Sequence, residues 1–176
     1  MTTKTRQAPR LTLGRRQRKW VLFVHIVSSV GWIGVEACLL TLGIVGLSSS
    51  DEATATATYV IAGVLGGTFY FPVSSMALLS GLLLGAGTKW GLVRYHWVVA
   101  KLVLTIALHL GGNLLVIPRF VAAGQAAADG GDVGGTATLF ITAMLAGLTL
   151  LVVATLLSVF TPGGRTPWYR SRVALR

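Results

Sequence analysis

Long apolar runs broken by short polar connectors dominate the chain, and four of them fill roughly residues 20–46, 59–86, 97–117 and 136–160. Each meets the requirement of about 20 apolar residues for an α-helix to cross a bilayer. Backbone N–H and C=O groups in lipid must pair within their own segment, so the runs predict four transmembrane helices. Short connectors make sequence neighbours antiparallel. The fold class that follows is all-α, an integral membrane four-helix bundle of up-down-up-down topology over 20–160. Basic tails, 1–19 and 161–176, flank it.

Patterning within the runs adds detail. In the second helix Gly63, Gly67, Tyr70, Ser74, Ala77, Gly81 and Gly85 recur at spacings of three and four, a mostly small stripe that lets another backbone approach closely. Pro72 removes one backbone donor from that helix, so a kink is expected there. The Ala-, Gly- and Asp-rich stretch from Gly124 to Gly135 reads as a flexible, outward-facing loop. Trp20, Tyr59, Trp90, Tyr95 and Trp97 fall at the ends of runs, where amphipathic rings anchor at the interface.

Composition agrees with lipid as the solvent: 53% of the residues are hydrophobic and 11% charged, and the mean hydropathy is +0.74. A net charge of +10 would suit nucleic acid, but the basic residues lie in tails and connectors with no module to read a groove. They set topology instead. Lys4, Arg6, Arg10, Arg15, Arg16, Arg18 and Lys19 precede Trp20, and Arg165, Arg170, Arg172 and Arg176 follow the last run. The first connector has no Lys or Arg, the second carries Lys89 and Arg94, and the third pairs Arg119 with Asp129 and Asp132. The positive-inside rule therefore places both tails in the cytoplasm, where they can also grip anionic lipid heads. A cleavable signal is not expected, because the run from Trp20 to Leu47 is far longer than a signal core. Cys38 is the sole cysteine, which excludes an intrachain disulfide and a thiolate metal cluster.

Ionisable groups at membrane depth are costly and so mark candidate sites. His25 and Glu36 on the first helix and Lys101 and His109 on the third qualify. His25, Ser29, Trp32 and Glu36 share one helical face, and Lys101, Thr105, Gly112 and Asn113 lie on or near another. Measured inward from Trp20 and Trp97, His25 lies roughly 7 Å deep, Lys101 about 6 Å, His109 about 18 Å and Glu36 about 24 Å. His25 and Lys101 are level. His109 is level with Trp32 and about 6 Å short of Glu36, close enough for a structural bond between those two if one helix shifts by a turn. Haem or a metal shared by His25 and His109 is the commonest bundle pattern, but their offset of roughly 11 Å demands an axial slide of about two turns. Haem on His25 alone, or on His25 with Lys101 opposite, suits the depths better.

Three features resemble a broad superfamily of small bacterial membrane bundles that includes HemJ-type protoporphyrinogen oxidases and the CopD-type membrane domain. They are His25-Ile26 with Trp32 seven residues on, Pro72 followed by Gly81 and Leu84, and Trp97 with Lys101 four residues on. The resemblance implies the inner membrane of a bacterial cell and a haem b site built on His25 and Lys101, with Trp32 as a third cofactor contact. It also implies a redox role with a quinone or other redox partner, and, should the chain be an enzyme, a haem-dependent oxidoreductase. The first helix lacks the Leu-Pro-Arg ending of the oxidases, and their Trp-Leu-His-x-Lys pattern reads Trp97-Val98-Val99-Ala100-Lys101 here. Haem binding therefore carries over more directly than oxidase activity. Residues alone leave three readings open: a haem protein, a bundle that transports a proton, ion or metal through His25, Glu36, Cys38 and His109, or a scaffold without chemistry.

Overall fold

The computed structural model describes residues 13–87, 91–131, 134–162, 164 and 166. Lys4, Arg6, Arg10, Lys89, Trp90, Asp132, Arg165, Arg170, Arg172 and Arg176 lie outside the described residues. Among the described residues, four helices are long and apolar enough to cross a membrane: Arg15–Ser48, Glu52–Ala86, His96–Ala128 and Ala137–Phe160. The all-α bundle is thus present. Span one is the single helix α1 (Arg15–Ser48). Span two comprises α2 (Glu52–Leu65), a wide π turn (Gly66–Tyr70) and α3 (Phe71–Ala86). Span three comprises α4 (His96–Gly111), a second π turn (Gly112–Val116) and α5 (Ile117–Ala128), and span four is α6 (Gly134–Phe160).

The two π turns have a common cause. Each ends two residues before a proline, Pro72 or Pro118, whose ring would clash with the carbonyl four residues back in a regular helix. Widening the turn relieves that clash, as the Ile117 N–H shows by bonding five residues back to the Gly112 carbonyl. Span three therefore runs past Ile117, and the stretch expected to loop from Gly124 is helical as far as Ala128. Its alanines are the best helix formers.

Glycine brings spans two and three together on this side of the bundle. A Cβ at Gly124 would stand 2.9 Å from the Tyr59 carbonyl, and one at Gly63 would stand 3.2 Å from the Phe120 carbonyl, so the two backbones touch where they cross. Tyr59 is correspondingly 4% exposed and packs with Ala127 and Ala137, so it is a core residue and not the interface ring its position suggested. Trp20, at 61%, does lie on the surface. At the start of α2 the Asp51 carboxylate caps the helix, accepting the Thr54 hydroxyl at 2.6 Å and its amide at 3.0 Å. Those bonds, the hydroxyl's first, hold its carboxyl below the usual aspartate range.

Trp32, Leu39, Tyr70, Phe120, Phe140 and Met144 fill the core. Large apolar side chains such as Val30, Leu79, Leu110 and Leu156 cover the outside, the reverse of a soluble protein and the surface that lipid requires.

Candidate functional site

Toward the end of the bundle that carries the start of span one and the end of span four, the spans part around a cavity of about 240 Å³. His25 lines it from span one, Gly81 and Leu82 from span two, Lys101 and Thr105 from span three, and Ser158 from span four. His25 and Lys101, level by sequence depth, thus face one space. Arg18, Leu92 and Trp97 line it as well. The connector before span three is fastened by Thr166, which is fully buried, its amide donating to the Arg94 carbonyl at 2.9 Å and its hydroxyl to the Val93 carbonyl at 2.8 Å.

The hydrogen bonds of His25 fix its tautomer. Nδ1 lies 3.1 Å from the Ala77 carbonyl and 3.1 Å from the Ser80 hydroxyl oxygen. The Ser80 hydroxyl itself donates to the Met76 and Ala77 carbonyls, so both partners of Nδ1 accept and Nδ1 carries the proton. Nε2 is left with its lone pair, on a residue that lines the cavity. Gly81 allows this pose, since a Cβ there would stand 3.1 Å from Cε1 of the ring. Lys101 donates to Ser158, whose hydroxyl passes its own hydrogen to the Ala154 carbonyl at 3.0 Å. Thr105 is occupied with the Lys101 carbonyl at 2.7 Å.

The other candidates lie deeper, in two further clusters. His109 Nδ1 sits 2.9 Å from the Ser74 hydroxyl and 3.2 Å from Asn113 Nδ2, while that amide also donates to the His109 carbonyl at 2.7 Å. Glu36 is met by the Tyr70 hydroxyl, which donates to Oε1 at 2.9 Å. The bond expected between His109 and Glu36 is therefore not made, because each has a nearer partner on span two. The two histidines likewise dock on different turns of span two, Ser74 and Ser80 being roughly 9 Å apart along the axis. No metal shared by His25 and His109 fits that placement, and among the described residues no three His, Cys, Asp or Glu side chains converge on one point. Trp32, expected at the cofactor, is 1% exposed and packs edge-to-face on Tyr70 with ring centroids 5.9 Å apart. It lies two turns beyond His25, past the cavity.

Tyr70, Ser80, Ser158 and Gly147 enter the polar clusters without having been singled out as site residues from the sequence. Tyr70 and the serines all sit on inward faces, and a polar residue in a small-residue stripe was the signal that could have found Tyr70 and Ser74. Compared with protein-family models, curated proteins and solved structures, the chain matches none.

Proposed function

We propose that this is a multi-pass protein of a bacterial inner membrane, its tails cytoplasmic, that holds haem b in the cavity between its spans and serves a redox role with a quinone or other partner. The reading rests above all on His25. Its Nδ1–H is committed to a backbone carbonyl and a hydroxyl, the arrangement that orients ligating histidines, and its Nε2 is free in a cavity shared with Lys101. The residues suit the group: His25 would hold the iron, and Lys101 would either ligate it as a neutral amine or pair with a carboxylate as an ammonium. Arg18 is the second cation on the lining, and Leu22, Leu78, Leu82 and Leu102 supply apolar walls. The cavity lies just under the roughly 300–1,000 Å³ of typical ligand sites, so a ligand of haem's size would extend between the spans toward lipid. Bound there, haem supplies one-electron chemistry. The Lys/Arg excess of the tails supports the cytoplasmic assignment.

Purification in mild detergent after expression with ample haem tests the proposal. The wild-type protein is expected to show a Soret band and reducible α and β bands, His25→Ala to lose them, and His96→Ala, exposed and off the cavity lining, to keep them. A colourless wild-type protein, or haem retained by His25→Ala, overturns it.

A further inference from the structure

We infer that Glu36 is a proton-binding site of the membrane interior, held as the neutral carboxylic acid in the arrangement seen and provided with one donor, the Tyr70 hydroxyl, for the carboxylate that remains when the proton leaves. The side chain is 1% exposed and lies roughly 18 Å along span one from its Ser48 end. Oε1 accepts the Tyr70 hydroxyl, Oε2 has no partner, and among the described residues no cation pairs with either oxygen. A carboxylate so placed would be a buried charge with one hydrogen bond, far costlier than the acid.

The surroundings are shaped to this group. Gly147 of span four leaves it room, since a Cβ there would stand 2.8 Å from Oε1, and a Cβ on Gly112 of span three would overlap the Tyr70 hydroxyl. Tyr70 closes one π turn and Gly112 opens the other, so the two helical distortions of the bundle meet beside Glu36. Such turns concentrate at functional positions. Trp32 Nε1, one turn back on the same face of span one, is buried beside Tyr70 and makes no full hydrogen bond. On ionisation the O–H bond of Oε2 breaks, its electron pair stays on oxygen and the proton passes to a water molecule. The Tyr70 O–H then donates to a carboxylate. Of other titratable groups, span two presents Tyr70, span three His109 in its bonds to Ser74 and Asn113, and the described part of span four none.

The site stands or falls independently of haem, and infrared spectroscopy of the full chain in dodecyl maltoside, a detergent with no carbonyl group of its own, tests it. The sequence has five carboxyl side chains. Asp51, Glu52 and Asp129 are exposed in or beside connectors, and the sequence places Asp132 in the same connector as Asp129. A protonated-carboxyl C=O band at neutral pH is therefore expected from Glu36 alone, absent in Glu36→Gln and lost as the wild type is made alkaline. Tyr70→Phe, which removes the hydrogen bond to the carbonyl oxygen, is expected to keep the band and raise its frequency, an assignment that holds even if Glu36→Gln does not fold. No band at neutral pH in the wild type, a band that survives in Glu36→Gln, or one that persists unchanged across the alkaline range overturns the inference.

Discussion

Gly112 owes its place to Tyr70, because any side chain there would occupy the volume of the tyrosine hydroxyl and ring edge. Gly112→Ala is expected to cost about 1–3 kcal/mol of stability by overpacking. In a Tyr70→Leu background most of that loss should vanish, giving a coupling of roughly 0.5–3 kcal/mol in a double-mutant cycle measured by unfolding in detergent. Gly34→Ala is the matching control. A Cβ at Gly34 meets nothing within 4 Å, so the change should be neutral or should stabilise the helix by up to ~1 kcal/mol. Equal losses at both positions would mean that Tyr70 is not held where the structure puts it. The residue scale also shows what sequence can and cannot say. Rise along a helix is fixed by residue count, which makes His25 and Lys101 level; rotation and neighbour identity are not, which is why the sequence leaves Glu36 and His109 facing each other while the structure gives each a partner on span two. Trp32, expected as a third cofactor contact, instead lies two turns past His25 and packs on Tyr70.

At the scale of elements, hydropathy located all four spans, yet it ended the third too early. Ile117-Pro118-Arg119 looks like a stop, since proline disfavours helix in the residue before it and arginine disfavours lipid, and the following alanines and glycine lack the apolarity of a span. The π turn removes the objection from proline, and packing against α2 removes the one from low apolarity, while Arg119 stays exposed and donates to the Leu115 carbonyl. The crossing of Gly63 and Gly124 gives this element a direct test. Gly124→Ala should destabilise the bundle by about 1–3 kcal/mol, because the nearest atom is a backbone carbonyl that cannot rotate away. Gln125→Ala, on the exposed face of α5, should change stability by less than ~0.5 kcal/mol. Thermal unfolding in detergent distinguishes the pair, and were residues 117–128 a loop, both substitutions would be silent.

For the whole molecule, four spans impose a parity: the segment before span one and the connector between spans one and two lie on opposite sides, and the connector after span three lies with the latter. The hydrogen bonds of Thr166 to Val93 and Arg94 tie the chain beyond span four to the connector before span three, as that parity requires. Parity does not say which side is which, and only the Lys/Arg asymmetry of the sequence assigns it. Cys38, the sole cysteine, makes the question accessible, since Cys38→Ser yields a background free of thiols. In that background Asp129→Cys should react with a membrane-impermeant maleimide added to spheroplasts, and Arg16→Cys should react only after the membrane is opened. The reverse pattern would keep the bundle and invert the cytoplasmic assignment. Labelling of both sites from the outside would break the parity itself, because an odd number of crossings must separate residue 16 from residue 129 if spans one, two and three each traverse the bilayer once.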